Sequence, residues 1–377
     1  MKKIGILGST GSIGRQTLEV LSAKRDSYSV AGLSAKRASE NLLKQAIDFR
    51  PEIVSCQEEP DRSWLDALPK GTHFIRGFEG IKEIIKLSSA VMNAISGTDG
   101  LLPTIWTLSS GKTLLAANKE SLVCLGELVS KHRTQIIPVD SEHNAIYQLL
   151  KLVSPDEISK VYLTASGGPF RDFPQQLFSQ ISPQQAIAHP NWRMGPKISV
   201  DSATLMNKGM ELIEAINLFG LEPDKVDVVI HPQSVVHAIV ELKNGAFLFH
   251  VSQTDMKIPI FYALFNSGIE SFPFERKGII DIAPITFERL DNEKFPSVEL
   301  CRWALKKGGV YPAMLVGADQ AAVELFLSGK ITFDSIYRLV REVLESVNPP
   351  PANTPEDIIK SVELASQLCL ELSKVAP

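Results

Sequence analysis

GILGSTGSIGRQTLEVL, residues 5–21, is the stretch whose reading decides the fold. Gly8, Gly11 and Gly14 stand between an apolar strand-like run and a helical one. Glycines at such a turn let the backbone come close to a pyrophosphate, and the N-terminus of the following helix faces the anion. Thr10, Gly11, Ser12 and Ile13 supply the amides and hydroxyls of that cradle. The spacing is GxxGxxG in place of the usual GxGxxG, so the strand–turn–helix context carries the dinucleotide reading.

The same rhythm continues outward. SVAGLSA, EIVSC, AVMNAIS, TLLAAN and TQIIPVD alternate with SENLLKQAIDF and ESLVCLGELVSKH through the first 140 residues. Short apolar runs separated by helices predict a Rossmann-like parallel sheet covered on both faces. The second strand selects the dinucleotide. An NAD site places an acid there for the ribose 2′-hydroxyl; here Lys36 and Arg37 follow GLSA, which favours the 2′-phosphate of NADPH. The alternative is two solvated residues at a helix start.

Beyond residue 150 the pattern changes to α+β. KVYLTASGG, KVDVVIHPQ, SVVHAIVEL and GAFLFHVSQ read as strands beside one long helix from Ala203 to Phe219. The runs between 226 and 251 predict antiparallel hairpins, with KNG as one turn. A Pro-, Gly- and Phe-rich segment follows, and from Ser297 the chain is helical. The predicted division is a cofactor domain over 1–140, an α+β catalytic domain over 141–262, a linker over 263–296 and a C-terminal helical bundle over 297–377.

The totals narrow the function. With 377 residues, two or three cores are expected. A formal charge of −4 excludes a nucleic-acid coat or a polybasic membrane face, so any anion site must be local. Four scattered cysteines without a CxxC indicate a reducing, cytoplasmic compartment. The first apolar run is too short and glycine-rich for a signal peptide, and nothing is long enough to span a membrane.

Two further stretches carry chemistry. IIPVDSEHNAI puts Asp140 and Glu142 two apart past a strand, on one side of an extended chain. Paired carboxylates without a His or Cys cluster suit Mg²⁺ or Mn²⁺, with Co²⁺ a further candidate; acids favouring a helix dipole are the alternative. SVDSATLMNKGMELIEAINLFG, residues 199–220, places Ser202 as a helix N-cap. Asn207 and Glu211 share a helix face, and Lys208 offers a charge for a phosphate. Ser166, beside two glycines, adds a turn able to hold an anion. Capping and salt bridges explain each of these singly. AHPNWRMGPK either packs on the core or closes over a ligand as a lid.

Together these motifs resemble the 1-deoxy-D-xylulose 5-phosphate reductoisomerase family over essentially the whole chain. The markers are GSTGSIG, LLAANKESLV, PVDSEHNAI, LTASGGPFR, HPNWRMG, KISVDSATLMNKGMELIEA and HPQSVVHAIV. The resemblance implies a homodimeric NADPH-dependent oxidoreductase acting on a phosphorylated sugar. It implies Asp140, Glu142 and Glu211 as metal ligands, and Ser166, Ser202, Asn207 and Lys208 as substrate residues. Lys119, Ser141 and His189 become further substrate contacts, with Lys119, Glu142 and His189 as the catalytic groups. Asn118, Glu120 and Gly195 join the glycine turn at NADPH, and Trp192 and Met194 form the lid. The chain departs from the family pattern at Lys36-Arg37-Ala38, at Thr254–Lys257, at Arg193 and Pro196, and at VGADQ (Val316–Gln320), where the family usually has NAANE. A dehydrogenase without rearrangement and a dinucleotide sensor are the competing readings.

Overall fold

The computed structural model describes residues 2–24, 26–188, 192, 195–266, 270–282, 284–352 and 354–374. The chain forms two compact units. The first comprises Met1–Asn118, His132–Asn144 and Asp255–Glu275. Its strands are β1 (Lys2–Leu7), β2 (Tyr28–Ala35), β3 (Ile53–Cys56), β4 (His73–Phe74), β5 (Ala90–Asn93), β6 (Thr113–Ala116) and β7 (Ile136–Pro138). They pair in parallel in the order β4-β3-β2-β1-β5-β6-β7. The helices here are α1 (Ser12–Ser22), α2 (Glu40–Phe49), α3 (Arg62–Asp66), α4 (Gly77–Leu87) and α5 (Leu101–Ser109).

Parallel strands need helical crossovers and so lose both faces to the core. The continuous apolar runs show it: all four residues of β3 are buried. Ile81, Ile84 and Ile85 of α4 pack against Leu7, Ile53 and Val91. The strand order reverses at β1, which lies between β2 and β5. Open α/β sheets bind ligands at that switch point, and the glycine turn leaves the end of β1 there.

The second unit comprises Lys119–Lys131, Ala145–Thr254 and Arg276–Pro377. Its helices begin with α6 (Lys119–Cys124) and α7 (Gly126–Lys131). The helix α8 (Ser141–Leu149) has its first turn in the first unit. Then come α9 (Pro183–Ala186), α10 (Pro196–Ala203) and α11 (Met206–Phe219). The short helix α12 (Lys257–Phe265) returns to the first unit, beside α1 and β7. The strands β8 (Ile158–Ala165), β9 (Val226–Ile230), β10 (Val236–Leu242), β11 (Phe247–Val251) and β12 (Glu288–Arg289) form a mixed sheet in the order β11-β10-β8-β9-β12.

Only β10 and β11 make the expected hairpin. β9 does not pair with β10; it runs parallel to β8. That pairing requires a crossover, which the helices between residues 183 and 219 supply. The chain end is helical as expected: α13 (Ser297–Lys307), α14 (Tyr311–Leu327), α15 (Phe333–Ser346) and α16 (Pro355–Leu372), with α14 touching the other three.

The helix expected over Ala203–Phe219 is α11, which starts at Met206, and a separate helix, α10, precedes it. Gly195 and Pro196 start α10 as N-cap and first residue, a pairing that Pro favours. Leu205 then takes a left-handed conformation, φ 59°, and breaks the run. Such a conformation costs roughly 1–2 kcal/mol for a residue with a Cβ, and the buried Leu205 side chain offsets it. Ser202 therefore lies in the last turn of α10 and is not an N-cap.

Candidate active site

The helix α11 is buried along most of its length, polar residues included: Lys208, Glu211 and Glu214 lie inside with Met210, Leu212 and Ile213. It packs on α6, α10, α13 and the sheet at β8 and β9, which leaves little of its circumference to water. The polar groups pair with one another. Lys119 Nζ, at the start of α6, donates to Asn207 Oδ1 at 2.6 Å and to Glu211 Oε1 at 2.9 Å. Asn207 Nδ2 donates to the same Glu211 oxygen at 2.6 Å. Lys208 Nζ donates to the other oxygen, Glu211 Oε2. The ordinary reading of a buried Lys–Glu pair is thus present, yet two ammonium groups surround one carboxylate. Two ammonium groups in a place water barely reaches suit a phosphate or a developing oxyanion.

Ser166, after β8, and Ser202, at the end of α10, are linked through a glycine turn. Gly167 and Gly168 follow β8 with φ of 86° and 71°. A Cβ on Gly168 would stand 2.7 Å from the Ser202 carbonyl oxygen, so only glycine lets this turn lie against the end of α10. Gly168 N–H donates to Ser166 Oγ at 3.2 Å. Trp192 lies near His237, with ring centroids 6.4 Å apart. His189 and Met194 are outside the described residues.

His237 had no role in the sequence reading. Burial first, and the nearby His250 second, push its pKa down to about 4, with Lys208 contributing. It is therefore a neutral imidazole at pH 7 beside the anion-seeking lysine. The signal was present in HPQSVVHAIV but gave no direction for the ring. His231 of the same motif is structural: its Nε2 accepts from the Val235 and Val236 amides at 3.2 and 3.1 Å, and its Nδ1 lies 2.8 Å from Thr286 O.

In the first unit, Asp140 and Glu142 do not lie in extended chain as the spacing argument assumed. Asp140 stands before the first turn of α8: its carbonyl accepts Asn144 N–H at 2.9 Å and its Oδ1 accepts Glu142 N–H at 3.3 Å. Asp is a strong helix N-cap, and the capping preference won. Ser141 Oγ donates to Glu142 Oε2. His143 Nδ1 lies 3.3 Å from Asp140 Oδ1. The hard carboxylate oxygens here fit Mg²⁺ or Mn²⁺.

The glycine turn fits a dinucleotide by its own geometry. Gly11 caps α1 without a side-chain hydrogen bond, and the first turn carries no acid, so nothing anionic competes for its amides. Gly11 and Ser12 are exposed, while Thr10 and Ile13 are half-buried. A Cβ on Gly14 would meet Gly8 O at 2.4 Å, so the turn can be this tight only with glycine. Lys36 and Arg37 are exposed after β2; Arg37 Nε pairs with Glu58 at 3.2 Å, and Ser39 caps the helix after them. Asn118 Nδ2 donates to the Ile95 and Gly97 carbonyls, both at 2.8 Å, bracing the loop after β5. Gly195 is exposed, with nothing within 4 Å of where a Cβ would stand. Glu120 is buried in the first turn of α6.

Comparison with known proteins bears on this geometry. The 1-deoxy-D-xylulose 5-phosphate reductoisomerase profile matches residues 4–126. Two C-terminal domain profiles of that enzyme match residues 136–219 and 251–368. The chain is 49% identical to the 1-deoxy-D-xylulose 5-phosphate reductoisomerase of Aquifex aeolicus, covering 98% of this chain and 97% of that one. It is 41% identical to that of Persephonella marina, over 100% and 99%. Among solved structures, the Zymomonas mobilis enzyme in complex with NADPH matches at TM-score 0.90 and 34% identity, over 100% of both chains. A DOX-P reductoisomerase with NADPH, fosmidomycin and magnesium matches at TM-score 0.91 and 34% identity, over 100% and 99%. On this agreement of sequence and fold, the chain belongs to the 1-deoxy-D-xylulose 5-phosphate reductoisomerase family.

Proposed function

We propose that the chain catalyses the NADPH- and divalent-metal-dependent rearrangement and reduction of 1-deoxy-D-xylulose 5-phosphate to 2-C-methyl-D-erythritol 4-phosphate, a step of isoprenoid precursor synthesis. The observation that carries this is the desolvated group of Lys119, Asn207 and Lys208 around Glu211, which sets two ammonium groups where water barely reaches. When bound, the metal supplies a Lewis acid for the substrate's vicinal oxygens and NADPH supplies the hydride.

The residues divide the remaining work. Asp140 and Glu142 of the first unit and Glu211 of the second are the proposed metal ligands. Lys208, Asn207, Ser166 and Ser202 hold the phosphate and so fix the far end of the substrate, lowering the entropic cost of reaching the reactive geometry. Lys119 steadies oxygen charge at the carbon centre, and Glu142 with Ser141 and His189 orients hydroxyl groups and moves their protons. Thr10, Gly11, Ser12 and Ile13 receive the pyrophosphate, Lys36 and Arg37 the 2′-phosphate, and Asn118, Glu120 and Gly195 the rest of NADPH. Trp192 and Met194 keep water from the carbonyl intermediate. In this reading residues 1–140 carry the cofactor and 141–262 most of the substrate machinery, with 263–296 linking to the helices of 297–377.

We also infer a homodimer. The outer strand β11 exposes Phe247 and Phe249, and Phe249 lies against Phe287 with ring centroids 5.9 Å apart. A contiguous exposed aromatic patch of this kind fits a second copy; light scattering giving a monomer mass would remove that inference. No helix among the described residues is long and apolar enough to cross a membrane. The four cysteines are buried and free, in keeping with a reducing cytoplasmic setting.

The test is NADPH oxidation, followed at 340 nm, with 1-deoxy-D-xylulose 5-phosphate and Mg²⁺, before and after chelation. Substrate-dependent oxidation that stops with chelator and returns with metal is expected. Turnover indifferent to chelation would favour a plain dehydrogenase, and no oxidation by folded, metal-supplied protein would remove the assignment.

A further inference from the structure

A second ionic cluster in the same unit meets that reading only through Glu120. Lys197, in the first turn of α10, sends Nζ to Asp201 Oδ2 at 2.6 Å and to Asp319 Oδ2 of α14 at 2.8 Å. Glu120 Oε1 of α6 lies 3.9 Å from the same nitrogen. One ammonium thus serves three carboxylates drawn from three helices. The other oxygens of the two aspartates, Asp201 Oδ1 and Asp319 Oδ1, are buried without a hydrogen-bond partner.

The cluster is graded from dry to wet. The Asp319 and Asp201 side chains are 0% and 3% exposed, Glu120 is 11% and Lys197 23%. The two aspartates are therefore the anchors, and the Lys197–Glu120 contact is the end that opens toward solvent. An ammonium has three N–H donors. Two are spent on the anchors, and the third is left for Glu120. Without that charge, Glu120 would face two buried carboxylates and swing away from them.

We propose that Lys197 is a positioning residue that holds Glu120 in place for NADPH, using Asp201 and Asp319 as its fixed base. This rests on the assignment of Glu120 to the cofactor. Lys119 and Glu120 are adjacent, yet only the Glu120 side is tied to Lys197. The effect of losing Lys197 is thus directed at cofactor affinity and not at the substrate.

The experiment uses the full chain without substrate, titrated with NADPH and followed by nucleotide fluorescence. Two variants are compared. Lys197→Met removes the ammonium. The double variant Lys197→Met with Asp319→Asn removes one charge of each sign, so the buried excess of negative charge does not grow and the fold is protected. Both are expected to raise the NADPH Kd about tenfold, while KM for 1-deoxy-D-xylulose 5-phosphate at saturating NADPH stays within about twofold. An NADPH Kd unchanged in the folded double variant overturns the proposal, as does a parallel rise in both constants. If the wild-type chain itself shows no NADPH binding, the assignment of the cofactor fails, and with it this inference.

Discussion

Two ionic clusters begin at adjacent residues of one six-residue helix. Lys119 and Lys208 both donate to Glu211, two ammonium groups on one carboxylate. Glu120 joins Asp201 and Asp319 around Lys197, three anions to one cation. Both are largely buried, and burial without balance is costly. In the proposed function the two ammonium groups meet the oxygens of a phosphorylated substrate. The carboxylates around Lys197 have no such visitor, and their charge is offset by retaining a proton. Burial first, and Asp319 second, hold the Asp201 carboxyl well above the usual aspartate range, although Lys197 pulls the other way. On these proposals one cluster receives a ligand and the other holds a neighbour still.

Substitutions can break this contrast. The largest effect is expected from Lys119→Ala, which removes the charge proposed to act on the reacting oxygens. Turnover should fall by about 10²–10³ with the circular dichroism spectrum unchanged; a loss under tenfold would make Lys119 a structural partner of Glu211. Next, Glu211→Gln removes the carboxylate to which both buried ammonium groups donate. A loss of about 3–5 kcal/mol of stability is expected by urea denaturation, and a loss below about 1 kcal/mol would mean the cluster is better solvated than its burial indicates.

Asp319→Asn sharpens the contrast from the other side. A carboxyl with a raised folded pKa keeps its proton where the unfolded chain has lost it. The folded chain then binds more protons than the unfolded one, and stability falls as pH rises from the ordinary aspartate value toward the raised one. Removing Asp319 relieves one cause of that rise. The variant should gain on the wild type as pH rises above the ordinary aspartate range, by about 1.4 kcal/mol for each pKa unit relieved. An equal or growing deficit above that range would show that Asp201 is not raised by Asp319. The smallest effect belongs to Lys36→Gln with Arg37→Gln, both on the exposed end of β2. NADPH affinity should fall a few-fold, NADH affinity should not change, and the difference should fade in high salt.

Much of this was legible beforehand. The glycine turn after β1, six of the seven parallel strands and the helical chain end follow from hydrophobic period and turn chemistry, which are local, whereas the two-residue β4 carries too short a pattern to read. The pairing of β9 with β8 was not, because the number of strand-like runs does not say which will be neighbours. The break at Leu205 was missed because a buried leucine carries no turn signal. Asp140 was read as extended because capping and strand continuation compete over a few residues, and only the start of α8 decides between them. His237 had a motif but no direction, since the orientation of a ring depends on what packs around it.

The linear order of residues determined the cofactor turn, the kinds of groups available for metal and phosphate, and the family. What only the folded chain decided is which charges meet: Lys119 and Glu211 are joined across 92 positions, and Lys197 and Asp319 across 122. The physical reason is that a side chain's charge is written in the sequence, whereas the dielectric around it and its partners are set by distant segments that bury it.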